Sequence, residues 1–482
     1  MIDVRVAGGA IAEIAPNLRP SPGASVIDGR GGALIPGLHD HHIHLLATAA
    51  AARSTVVGLP LVHDAPGLAR ALRAADADPE RPAGAWIRAV GYHESVAGDL
   101  DRHALDALVP HRPLRVQHRS GARWLLNSAA IAALGLDRAD RPGIERDAGG
   151  RPTGRLHRAD RWLRELLPAD DPPDLAGLGA RLASYGVTGV TDTTPYTDPA
   201  DLCPLATAVA SGALPQHVVV TGGPELARID PPPGLAPGPV KIVLDDAELP
   251  PLDRLCHHIR SAHGHGRGVA VHCVTRVALV LALAAWDEVG ARTGDRIEHG
   301  AVIPPELRAA IAVHGITVVT QPGFVAERGD EYRHEVDADD LPHLYPCASL
   351  LDAGIPVAAS TDAPFTHPDP WRAIAAARHR TTPRGTPLGP HEAVSAPRAL
   401  DLFLGPADRP GGPPRRLRPG RTADLCLLDA PLGEALSEPD SASVAATVIG
   451  GSLVWRRPPS APTTADHRRV ATTGRRTRRS GT

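Results

Sequence analysis

Short apolar runs recur through the middle of the chain, at 186–192, 217–221, 240–244, 268–272, 296–299, 316–321 and 355–362. Most are separated by stretches whose apolar residues return every three or four positions, such as 276–289 and 305–313. Runs of this length, bounded by Gly and Pro, read as buried strands, and the longer period between them reads as helix. Alternation of the two at roughly 25 to 40 residues per unit is the pattern of a parallel (β/α)8 TIM barrel. A further run at 33–45 completes eight strands, so the predicted class is α/β.

Both ends of the chain have another texture. Strand-like segments at 4–6, 11–14 and 24–27 are broken by Gly-Gly, Pro-Ser-Pro-Gly and Gly-Arg-Gly-Gly, and segments at 423–428 and 445–454 resemble them. Two half-sets of strands predict one small β-sandwich domain built from 1–34 and 415–457, with the barrel over 35–414. An insertion at about 47–180 follows the first barrel strand and has its own strand candidates at 86–92 and 114–120. Loops after barrel strands build active sites, so the insertion is expected to act as a lid over substrate. The tail at 458–482 is rich in Pro, Thr and Arg without periodicity and is expected to be disordered.

Composition narrows the function. A chain of 482 residues with a net charge of -3 offers no basic surface for nucleic acid. Its longest apolar run, 277–286, is too short to span a bilayer, and its first residues lack a secretory pattern. Five cysteines form no C-x-x-C and are expected as buried thiols in a reducing compartment, the cytoplasm. Lysine occurs once, at Lys241, and every other basic side chain counted with it is arginine. Position 241 is therefore suspected of needing an amine.

The densest chemistry lies at 39–44, His-Asp-His-His-Ile-His. Strand alternation sends Asp40, His42 and His44 to one face and His39 and His41 to the other. Two imidazoles one step apart on a face can grip one ion. Lys241 stands on the fourth barrel strand, His272 closes the fifth, His299 the sixth and Asp362 the eighth, each at what is expected to be the C-terminal rim. Singly, each has a duller explanation, since a histidine after an apolar strand usually bonds to backbone. Five strands aiming such groups at one axis are not explained that way. His257, His258, His263, His265, His379 and His391 lie on helices or loops and are expected to bind no catalytic metal.

The motif P-G-x-x-D-x-H-x-H, with Lys, His, His and Asp on later strands, resembles the amidohydrolase superfamily. The stretches at 86–92, 296–300 and 319–322 resemble in particular the branch that contains N-substituted formamide deformylase. The resemblance implies a divalent metal centre, two Zn(2+) ions with one ion as the alternative. His42 and His44 would hold one, His272 and His299 the second, and a carboxylated Lys241 would bridge them. Asp362 would be both ligand and proton shuttle. There are departures: Ile-Val-Leu-Asp-Asp follows Lys241 where relatives have a Phe-x-Asp-Gly-Ser type of loop, and Ala122 follows Gly121 where relatives often have histidine, with His118 as its candidate substitute. Met1 falls inside what is usually the second sandwich strand, so an upstream start is expected.

The expected activity is metal-dependent hydrolysis, with water activated by the metal, of a C–N bond in a small-molecule amide, formamide or cyclic amide. Tyr92, His118, Arg119 and Gln321 are the candidate substrate contacts. The alternatives are a mononuclear deaminase on the same barrel and a barrel scaffold without catalysis. No nucleic-acid or membrane partner is expected, and a homodimer is the assembly to test.

Overall fold

The computed structural model describes residues 2–82, 84–167 and 173–458. Eight parallel strands follow in chain order: β1 Leu38–Ile43, β2 Val187–Asp192, β3 His217–Val220, β4 Val240–Val243, β5 Val269–Cys273, β6 Arg296–His299, β7 Thr317–Thr320 and β8 Val357–Ala359. All lie within or almost within the predicted runs. They make two arcs and not one closed ladder: β1 to β3 with the short outer strand Leu235–Pro237, and β4 to β8. A few backbone bonds bridge the seams, from Asp362 N–H to the His42 carbonyl (2.8 Å) and from His44 N–H to the Ala363 carbonyl (2.9 Å) at one, and from Lys241 N–H to the Gly222 carbonyl (2.7 Å) at the other. Asp362 and Gly222 both have positive φ, 55° and 72°, which is incompatible with extended strand geometry and ends the ladder there.

The predicted strand at 33–45 is two strands. Gly37 passes so close to Thr188 that a Cβ would meet its methyl group at 2.1 Å, and the chain changes partners at this point. Leu34–Pro36 pairs antiparallel with Leu425–Leu428, whereas β1 pairs parallel with β2. The Arg276–Val289 helix matches its predicted span; Thr275 accepts the Ala278 N–H at its start, and Leu279, Ala282, Leu283 and Trp286 form its buried stripe.

The chain ends form a hairpin (Asp3–Ala7 with Ala10–Ala15) and a four-stranded sheet. Ile11, Ala423 and Leu425 lie in their shared core. Residues 24–27 form no strand, and Val26 is exposed. The segment 445–454 is a hairpin of Val444–Ile449 and Ser452–Arg456, because Gly450 and Gly451 turn the chain with positive φ. Cys203 is exposed, unlike the other four cysteines, which are buried thiols. From residue 459 onward the tail lies outside the described residues.

The insertion is more than a flap. It carries a six-stranded sheet that includes Ile87–Tyr92, Leu114–His118, Arg123–Leu126 and Pro152–His157, with hydrophobic clusters of its own. Among the described residues no helix is long and apolar enough to cross a membrane.

Candidate metal centre

His42, His299 and Asp362 offer ligand atoms that all lie within 4.8 Å of one another, and all three residues are buried. Asp362 Oδ1 is 3.5 Å from His42 Nε2 and 3.3 Å from His44 Nε2, and Asp362 Oδ2 is 3.7 Å from His299 Nδ1. Two donors at about 2.1 Å from one cation lie about 3.0 to 3.4 Å apart; the His44 separation falls in that range, the His42 one lies just above it, and His299 Nδ1 lies outside it and faces the Gln321 amide oxygen (2.9 Å). The His272 ring is 4.4 Å from that of His299. Buried His42 Nε2, Asp362 Oδ1 and Lys241 Nζ have no hydrogen-bond partner. Orphaned polar atoms this deep are costly unless something else satisfies them.

The backbone is strained at two of these residues. His299 has φ 69° and Asp362 φ 55°, conformations costing of order 1–3 kcal/mol each. Strand alternation would send Glu298 and His299 to opposite faces, yet Glu298 touches His42 Nδ1 and the His299 ring is 4.8 Å from that of His42. The turned backbone at His299 lets both neighbours address one point.

Lys241 departs from the predicted rim position. It lies near the start of β4, opposite Ala270, while His272 sits two residues further along, opposite Val243. Its four-carbon stem spans that offset: its charge acts on His42, His272 and His299, and it feels Glu298 and Asp362.

Burial sets the protonation states. It holds His42 and His299 well below the usual imidazole range and His272 at about 3, with Lys241 adding to the effect on His42 and His272. These rings are neutral donors at neutral pH. Burial brings Lys241 down to about 8 against the pull of Glu298 and Asp362, and it pushes Asp362 up against the opposing pull of the adjacent His44.

Surrounding residues fix these groups. Asp40 accepts the Thr361 N–H (3.0 Å) and so anchors the turn before Asp362, and burial pushes its carboxyl up to about 7. Asp192 accepts the Leu45 N–H (2.8 Å) and the Thr194 N–H (2.9 Å), and the Thr194 hydroxyl is 3.0 Å from His44 Nδ1. On the other face, His39 bonds to Thr191 (2.9 Å) and stands beside His41.

These shifts predict acid sensitivity of the metal-free protein. Histidine pKa values lowered from 6.5, as at His39, His41, His42, His272 and His299, let the unfolded chain take up protons first as pH falls below 6.5. Asp40 and Asp362, pushed up, work in the opposite direction but are fewer. The melting temperature should therefore drop between pH 6.5 and 5, and a flat profile over that range contradicts the assignment.

The four candidate substrate contacts separate. Gln321 is buried: its carbonyl oxygen is 2.9 Å from His299 Nδ1 and its amide donates to the Val319 carbonyl and Ser360 Oγ. Tyr92 belongs to the insertion core, its hydroxyl donating to the Gly98 carbonyl. His118 and Arg119 line a cavity of about 210 Å³ between the insertion and the loops and helix beyond β7 and β8. Phe365 forms part of its wall and stands edge-on to His44, 5.6 Å between ring centroids. A Cβ on Gly121 would strike this phenyl ring at 2.8 Å, and φ there is +75°.

A second cluster, His93, Glu94 and His118, lies on the insertion. There the Ser95 N–H donates to His93 Nδ1 (3.2 Å) and the Ser120 N–H to His118 Nδ1 (3.1 Å). A neutral ring that accepts at Nδ1 carries its proton on Nε2. His118 Nε2 then donates to Glu94 (3.0 Å) and His93 Nε2 faces Glu335 (3.2 Å), which suits a clasp of imidazoles and carboxylates and not a cation.

Sequence reasoning missed Glu298, Arg296 and Arg328. The first two had a signal: two charges with a spacing of two on a fully buried strand, just before His299. Arg328 had none; it donates to the carbonyls of Phe365 (2.5 Å) and Arg119 (3.4 Å) across the cavity.

A profile described as "Amidohydrolase family" matches residues 25–455. N-substituted formamide deformylase of Arthrobacter pascens is 27% identical over 523 aligned positions, covering 94% of this chain and 95% of that protein. An uncharacterized metal-dependent hydrolase from Pyrococcus horikoshii OT3 superposes with a TM-score of 0.68 at 18% identity, over 88% of this chain and 92% of that one. N-isopropylammelide isopropylaminohydrolase from Burkholderia multivorans ATCC 17616 does so at 0.53 and 17%, over 94% and 95%.

Proposed function

The chain belongs to the amidohydrolase family, and from that premise we propose a metal-dependent hydrolase that cleaves the C–N bond of a small, uncharged amide or formamide. The observation that carries the reading is the set of orphaned atoms, His42 Nε2, Asp362 Oδ1 and Lys241 Nζ, buried together with His299. Neutral imidazoles, a carboxylate and an amine that can be carboxylated suit zinc. Such an ion, when bound, polarises a carbonyl and makes water a better nucleophile at neutral pH.

The protein's own groups do the rest. A buried amine with pKa about 8 keeps a share of neutral Lys241 at neutral pH. Its lone pair can attack carbon dioxide and, on losing a proton, become a carbamate with two oxygen donors, which supports a two-ion centre. Asp362, raised by burial, accepts a proton from the attacking water and returns it to the leaving nitrogen. A one-ion site is the second reading, favoured by the tight grouping of His42, His299 and Asp362 without His272.

The cavity supports an apolar substrate. Several of its charged lining groups already have partners: His118 with Glu94, Arg119 with Glu331 and Glu335, and Glu327 with the His367 N–H, while Arg328 bonds to the backbone carbonyls of Phe365 and Arg119. The apolar part of the wall is Val56, Leu59, Val90, Pro364 and Phe365. A dry cavity of about 150 Å³ accepts benzene, so this one has room for a substituent of ring size. Metal analysis with a panel of N-formyl and N-acyl compounds tests the reading. Zinc-loaded protein should favour N-aryl or N-alkyl amides over matched anionic ones. Metal content near zero, or equal rates on charged and neutral compounds, would overturn it.

A further inference from the structure

We propose that Glu298, backed by Arg296, is the positioning residue that dictates which nitrogen of His42 faces the metal. The inference rests on the metal-centre reading above. Glu298 and Arg296 lie two residues apart on β6 and therefore share a face, and both are almost wholly buried. One Glu298 oxygen touches His42 Nδ1 and the other touches Arg296 Nε. Arg296 also donates to the His41 carbonyl (3.3 Å), so the column Arg296, Glu298, His42 joins β6 to β1 on the inner side.

A carboxylate only accepts, so neutral His42 carries its proton on Nδ1 and its lone pair on Nε2. That Nε2 is the atom left without a partner, 3.5 Å from Asp362 Oδ1. A carboxylate behind a ligating imidazole also raises its basicity as a donor. Three of the four candidate ligand rings, His42, His44 and His299, have a partner behind them and differ in how firmly this is enforced. Gln321 does the same for His299 with a neutral amide oxygen, and the Thr194 hydroxyl beside His44 can donate or accept. Only His42 is oriented by a charge. In the insertion clasp the opposite arrangement holds, with backbone N–H groups donating to Nδ1 of His93 and His118. Each cluster contains two histidines and one carboxylate, and the partner at Nδ1 separates them.

The test begins with the wild-type protein. In metal-free protein labelled with ¹⁵N-histidine, with His42 assigned from a His42→Asn sample, the ring should show the Nδ1–H tautomer; the Nε2–H tautomer would overturn the proposal. In Glu298→Gln, metal affinity measured against a chromogenic chelator should weaken by about 10- to 100-fold. The cobalt-substituted visible spectrum should change as well. Unchanged affinity and spectrum in folded Glu298→Gln would refute the role. If that variant does not fold because Arg296 is left unpaired, Arg296→Met/Glu298→Gln removes the buried charge and is measured in the same way. Wild-type protein that binds no metal would defeat the metal-centre reading alone, because the tautomer is read without metal.

Discussion

Asp362→Asn is expected to keep its metal and lose nearly all turnover, about 10²- to 10⁴-fold in kcat. The amide oxygen of asparagine still sits where Asp362 Oδ1 lies 3.3 Å from His44 and 3.5 Å from His42, so coordination survives. What it cannot do is accept a proton from water and return it to the leaving nitrogen. Backbone strain does not confound the comparison: asparagine is among the residues that best tolerate the φ of 55° found here. The His42 carbonyl keeps its bond from the residue 362 N–H, which is unaffected by the exchange. Metal content and kcat measured on one preparation check the result. Turnover within about tenfold of wild type would remove the carboxylate from proton transfer.

Lys241→Met should have the second large effect, a loss of activity of about 10³-fold or more with fewer metal ions bound per chain. Methionine fills a similar volume without the amine, and it removes a buried nitrogen that has no partner. The variant should thus fold as well as the parent, which separates lost chemistry from lost structure. Lys241→Arg should be equally inactive, because a guanidinium remains charged and cannot take up carbon dioxide. Wild-type activity should also fall after reconstitution in decarbonated buffer and recover with bicarbonate. Full activity and metal content in Lys241→Met would rule out the bridging role.

Much of this was legible before any fold was in hand. Most of the runs that became β2 to β8 are buried on both faces, as strands covered by helices must be, and their spacing alone predicted parallel alternation. The interior partners were harder to see. Gln321 reads equally well as a substrate contact or a bond to a ligand, and only its 2.9 Å contact to His299 decides. Tyr92 looks like a rim aromatic until the insertion proves to have a core of its own.

Local sequence determined what depends on neighbours in the chain: strand and helix periods, the His-x-His pair, the lone amine, the glycine turns of the terminal sheets. Tertiary structure alone decided what depends on backbone torsion and distance. It ended the ladder at Gly222 and Asp362, turned His299 beside Glu298 toward one point, and paired Glu298 with a histidine 256 positions away. The reason is physical: periodicity reports which face of an element is buried, whereas a hydrogen bond of a few ångströms between distant segments leaves no periodic trace in either one.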